Sequence, residues 1–233
     1  MKFLVSLIIC LQLVNAQNNY KNELIKLIMF EDTASTYFSV EKAARDFAEL
    51  SDKYPDERLA AYSASHDLHQ IAVYQNANDF KESALARLEK SKFYSDRAFE
   101  KRPNDEPDTL ADLYANLSLL YYFFARVHRV NGLHIDANNY LQLRDESLAK
   151  AIKANPDNPR AKLLITTDFA GTAMKNQDLR QLMISQVLFA DLYRQFNSDN
   201  TKNTFKPHWG KNWLKFWKPS VANALKTAID SIK

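Results

Sequence analysis

Two histidines stand three residues apart in the run SHDLHQ, at His66 and His69. On a helix that spacing puts both on one face. Two imidazoles so placed could bind zinc or another divalent ion, with Asp67 or a distant carboxylate completing the set. The chain would then be a metal-dependent enzyme. Zinc proteases instead space their histidines four apart with a glutamate after the first, so the plainer reading is surface or partly buried histidines. His128 and His134 flank Gly132 without a clear third ligand. Carboxylates occur on every predicted helix, so no acid–base pair is singled out, and no nucleophile stands beside a base. No catalytic residue and no cofactor is assigned.

A second cluster suits binding rather than reaction. Tyr121-Tyr122-Phe123-Phe124 spans all sides of a helix. Tyr121 and Phe124 continue an apolar stripe, whereas Tyr122 and Phe123 point elsewhere, into a neighbouring helix or into a groove for a peptide or glycan. The expected partner contacts are Tyr122, Phe123, Arg126 and Arg160. A third cluster holds all three tryptophans, in PHWGKNWLKFWKP. Trp213, Phe216 and Trp217 share one helical face, with Lys211, Lys215 and Lys218 interspersed. That pattern suits either contact with an anionic membrane surface or an end cap over the last hydrophobic face of a helical stack; the cap is preferred. Asn116-Leu117-Ser118 has the form of an N-glycosylation sequon, but it falls inside a predicted helix. Asp32-Thr33-Ala34, Asp108-Thr109-Leu110 and Asp230-Ser231-Ile232 resemble O-glycosylation acceptors and serve equally well as helix caps.

The elements that position these groups are helical. The chain has three glycines, Gly132, Gly171 and Gly210. Phosphate-cradling loops need several close together, which excludes dinucleotide and P-loop chemistry. Few glycines and much Ala, Leu, Lys and Glu indicate an all-α protein. Leu110, Leu113, Tyr114, Leu117, Leu120, Tyr121, Phe124 and Val127 recur in steps of three and four, with Asp108 placed to cap the helix and Asn131-Gly132 to end it. Helices are expected over 19–31, 40–53, 57–75, 81–102, 108–130, 136–154, 159–174, 177–196 and 220–232.

The first residues, MKFLVSLIICLQLVNAQ, form a secretory signal: Lys2, an apolar run from Phe3 to Leu13, and small-residue cleavage after Ala16. The run is too short to span a bilayer, which takes about 20 apolar residues. Cys10, the only cysteine, lies inside it, and Ile8 and Ile9 precede it where a lipid-attachment signal wants small residues. The mature chain, 217 of 233 residues, thus has no thiol and must rely on its core. Loss of Lys2 takes the formal charge from +3 to +2, which gives no argument for nucleic acid. A periplasmic or secreted location follows.

Three corners share one grammar: LSDKYPDERLAAY (50–62), AFEKRPNDEPDTL (98–110) and AIKANPDNPRAKL (151–163). A small or apolar residue precedes a proline by five positions, a polar turn follows, and a new amphipathic helix begins. Pro55, Pro103 and Pro156 lie 48 and 53 residues apart. Self-similarity of this kind marks helical-hairpin repeats. The corners resemble the close of a tetratricopeptide repeat, with Ala98/Pro103 and Ala151/Pro156 in its small-residue and proline places and Leu50/Pro55 a looser match. The Trp-Leu-Gly signature of that repeat's first helix is absent, and the spacing exceeds its period.

The order of features resembles a family of exported tetratricopeptide-like proteins from Bacteroidetes-type bacteria: a leader, early hairpins, Arg126 with Gly132, NPDNPRA (155–161) and a late PHWG (207–210). The resemblance implies an all-α helical-hairpin solenoid, a single domain over residues 17–233 with C-terminal capping helices, and supplies no catalytic residues. The expected function is a non-catalytic interaction module that binds a peptide or protein partner on its concave helical face. In that setting NPDNPRA is a corner between stacked helices, with Pro159 in the first turn of the next; a ligand-facing turn using Asn158 and Arg160 is the other reading.

Overall fold

Apolar steps of three and four produce helices throughout. In the computed structural model the described residues form nine helices and no strand: α1 Lys2–Glu31, α2 Tyr37–Lys53, α3 Arg58–Ala77, α4 Lys81–Glu100, α5 Pro107–Val130, α6 His134–Ala154, α7 Pro159–Asn176, α8 Leu179–Ser198 and α9 Lys211–Asp230. The described residues are 2–34, 36–100, 106–198, 209 and 211–230, with side chains from residue 17 onward except 198, 211–213, 215 and 216. The Pro103 corner, most of PHWG, the side chains of Trp213 and Phe216, and the end of the last O-glycosylation triplet lie outside them.

The chain divides into two compact units, Met1–Lys101 and Arg102–Lys233. In the first, α1 packs on α2, α2 on α3 and α3 on α4. Helix α1 contributes Tyr20, Leu24 and Ile28, one residue per turn, all buried. The helix extends N-terminally beyond the expected 19–31, yet these three contacts all follow Ala16, so cleavage there would leave them in place. Helix α3 is central. Its alanines Ala60, Ala61, Ala64 and Ala72 are buried, and small side chains let neighbouring helices approach closely.

In the second unit each helix packs on its sequence neighbour, and α5 also meets α7, which meets α9. Helix α5 is buried on most of its circumference: Leu113, Leu120, Phe124 and Val127 on one side, Ala115, Leu119 and Phe123 on another. Its N-cap is Glu106, not Asp108 as expected, because Pro107 takes the first helical position, where its fixed φ is already helical. At the other end Gly132 has φ 78°, the left-handed conformation that glycine adopts at low cost.

Helix α9 runs unbroken through Pro219, whereas the sequence suggested a new helix at 220. An interior proline removes one hydrogen bond and crowds the preceding turn. Leu214, Val221 and Ala228, seven residues apart, are all buried, and continuous burial of that face outweighs the local break.

Two of the three corners are described, and they fold alike. The amide of Tyr54 donates to the Leu50 carbonyl and that of Glu57 to the Tyr54 carbonyl, each at 3.0 Å. Around Pro156, Asn155 donates to Ala151 at 3.0 Å and Asn158 to Asn155 at 3.2 Å. The residues five before the prolines, Leu50, Ala98 and Ala151, are all buried. Replacing Ala151 by Leu would overpack that contact, with an expected loss of about 1–3 kcal/mol, read as a lower Tm in thermal unfolding, whereas Ala151→Ser is expected to cost less.

Candidate functional site

The second unit contains a cleft of about 440 Å³. Helix α7 supplies its base through Leu164, Thr167, Asp168, Gly171, Thr172 and Lys175. Steps of three and four make these residues one helical face. Ser118, Leu119 and Tyr122 enter from α5, Arg144 from α6 and Trp217 from α9. Tyr122 is 38 % exposed and braced edge-on by Phe123, with ring centroids 5.5 Å apart. Trp217 stacks on Phe189 at 6.3 Å, so both aromatic groups of the cleft are held by rings behind them.

Gly171 leaves the middle of the α7 face bare. A Cβ added there would meet nothing within 4 Å. The polar groups are partly committed. The Arg144 guanidinium bonds Asp168, and Asp145 at 2.7 Å; burial disfavours its charge, but these carboxylates outweigh that and hold it cationic. Ser118 Oγ donates to the Arg144 carbonyl at 3.0 Å and Thr167 Oγ1 to the Leu164 carbonyl at 2.8 Å. Both of these side chains are buried, whereas Thr172 is exposed, and its hydroxyl can accept from a ligand. Lys175 is exposed. Among the described residues the lining includes no histidine and one carboxylate, and Asp168 is engaged by Arg144. Such a surface is equipped to bind through rings, hydroxyls and an ion pair.

Of the expected contact residues, Tyr122 lines this cleft, and Arg126 is exposed one turn along the same face of α5. Phe123 and Arg160 are not beside them on the surface: they are 4 % and 3 % exposed. Phe123 faces the interior because α5 is packed on two sides. Arg160 faces inward because its charge is matched there. Its Nη1 lies 3.3 Å from Asp112 Oδ1, to which Asn158 Nδ2 also donates at 2.7 Å. Asn158 Oδ1 caps α7, accepting the Arg160 and Ala161 amides at 3.0 Å. The Phe196 and Trp209 rings lie 5.9 Å from the guanidinium carbon. Asn155 donates to Asp108. NPDNPRA is thus a corner tied to the start of α5, with Pro159 at the first helical position, and the side chains of Asn158 and Arg160 are both buried.

Within the tryptophan segment, Trp209 and Leu214 are buried and Trp217 is half-buried. These described side chains pack inward, as an end cap requires. No described helix is long and apolar enough to cross a membrane. Asn116 of the sequon is buried as well.

The paired histidines lie in the first unit. His66 and His69 are buried with ring centroids 4.6 Å apart, edge to face. Among the described residues no group of three or more His, Cys, Asp or Glu is placed to hold a metal ion. Burial, and then the His66 charge, depress the His69 pKa well below its usual value. Asp67, also buried, turns to Glu31; burial first and that carboxylate second push its pKa well above the usual range.

Compared with known proteins, the chain matches no family model, no curated protein and no solved structure. Outside α5, Trp217 is the cleft residue that the sequence had singled out, as part of the tryptophan segment; those on α6 and α7 were not. A signal existed in the polar face Thr167, Asp168, Gly171, Thr172 and Lys175, with a glycine at its centre in a chain that has three.

Two outcomes follow from these buried polar groups. Arg160→Ala leaves Asp112 without its cation, so a loss of about 3–5 kcal/mol is expected, measured by denaturant unfolding. Asp67→Asn removes a carboxyl whose pKa folding pushes up. The unfolded carboxyl ionises near pH 4, so wild-type stability falls as pH rises from there towards the raised folded value. The variant should have a higher Tm than wild type at pH 8, by an amount that shrinks towards pH 4. Acid loss through His69, whose unfolded form takes up a proton first below about pH 6.5, should persist in both.

Proposed function

We propose that this chain is an exported, non-catalytic interaction module. It would be a stack of tetratricopeptide-like helical hairpins whose cleft beside Tyr122 binds an extended peptide segment of a protein partner. The observation that carries the reading is the α7 face from Leu164 to Lys175, open at Gly171 and flanked by Tyr122 and Trp217. Eleven helical steps span about 16 Å, the reach of roughly five extended residues. The rings offer apolar contact to alternate side chains, and the exposed Thr172 hydroxyl accepts from a backbone amide. Lys175 suits a carboxylate at one end.

Support for the hairpin-stack reading comes from the recurrence of the corner hydrogen bonds and of the buried small residues before the prolines, together with the row of contacts α5–α7–α9. The leader-like first 16 residues support export.

The test uses the mature protein in affinity capture from its own cell envelope, followed by titration of the captured partner. Gly171→Leu fills the cleft at a position with free space, and a leucine favours helix over glycine by up to about 1 kcal/mol. Gly171→Leu and Tyr122→Ala are each expected to weaken binding at least about tenfold with little change in Tm. A partner held equally by wild type and both variants would place recognition elsewhere.

A further inference from the structure

Helix α8 is apolar on two opposite sides. Leu182, Ser185, Phe189, Leu192 and Phe196, in steps of three and four, are buried, in a helix that packs on α7 and α9. On the other side Met183, Ile184, Val187 and Leu188 remain 56, 42, 61 and 38 % exposed. A helix with two apolar faces is normally covered on both, and soluble monomers seldom leave a contiguous apolar patch uncovered.

The flanking charges indicate what covers it. The face reads Arg180-x-x-Met183-Ile184-x-x-Val187-Leu188-x-x-Asp191. Read backwards it keeps its apolar centre and exchanges its charges. The pattern is therefore complementary to its own reverse, about a point between Ser185 and Gln186. We infer that α8 pairs antiparallel with α8 of a second copy of this chain, across a two-fold axis at that point.

In this register Ile184 meets the partner's Val187 and Met183 meets the partner's Leu188. Arg180 meets the partner's Asp191, and each of these contacts occurs twice by symmetry. A parallel pairing in register would set Arg180 against the partner's Arg180, which like-charge repulsion disfavours. The antiparallel arrangement also brings each helix N-terminus to its partner's C-terminus, where the helix dipoles attract. Asp191 already bonds Arg194 within its own helix, but both are exposed, and such a pair contributes little. The apolar centre excludes water and the end charges set the register. This association is separate from the cleft: none of Arg180, Met183, Ile184, Val187, Leu188 and Asp191 lines it.

The test is the molar mass in solution over a micromolar concentration series, by light scattering and sedimentation, on the mature chain from residue 17 and its variants. Wild type is expected to shift from one chain mass to two as concentration rises. Val187→Asp should abolish the shift with Tm at low concentration unchanged, because the site is exposed. Arg180→Asp and Asp191→Arg should each weaken association roughly tenfold by opposing like charges. The double variant should recover it, since each end pair is then restored with its signs exchanged. A chain monomeric throughout, a dimer indifferent to Val187→Asp, or a double variant no better than the single ones would overturn the inference. So would a monomer whose Val187 face instead binds lipid vesicles.

Discussion

Arg160 takes a guanidinium into the interior of the second unit, and the packing around it follows from the need to match that charge. An unpaired buried cation is far more costly than any single apolar contact is favourable. Asp112 on α5 supplies the countercharge, Asn158 shares the same carboxylate oxygen, and two aromatic rings cover the outer side. The first turns of α5 and the corner before α7 are thereby fixed to one another. Because α7 begins at this corner, the bond ties its first turn to α5, the helix that carries Tyr122. The middle of the α7 face in the cleft is left open by the absence of a side chain at Gly171.

The first unit handles buried polarity differently. There burial pushes the groups towards their neutral forms: it depresses the His69 pKa and raises that of Asp67. Neutral groups leave less charge to desolvate, and such a core is expected to lose stability on both sides of an intermediate pH. The spacing His66/His69, which has the form of a metal-binding pair, here produces two rings packed edge to face in an alanine-rich helix interior.

Helix α8 carries the opposite condition, apolar groups left outside. Its inner face is complete without the outer one, since Leu182, Phe189, Leu192 and Phe196 already fill the space beside α7 and α9. The outer four residues stay 38–61 % exposed in a single chain. Self-association gives them a role that single-chain packing does not, and it leaves the cleft residues untouched.

The sequence by itself determined the local features. Steps of three and four specified helices, and proline or Asn-Gly ended them, because backbone conformation responds to residues within a turn or two. The repeated corner was legible for the same reason: its hydrogen bonds join residues three and four apart. Continuity of α9 through Pro219 was not, because burial along the whole helix overrode the local signal. Only the tertiary structure decided which side chains face outward. Tyr122 and Phe123 are adjacent and chemically alike, yet one lines a cleft and the other is buried. Arg126 and Arg160 divide in the same way. Exposure depends on which helices pack across long stretches of chain, and on whether a buried charge finds its partner there. Residues forty-eight apart, such as Asp112 and Arg160, meet only after the chain has folded.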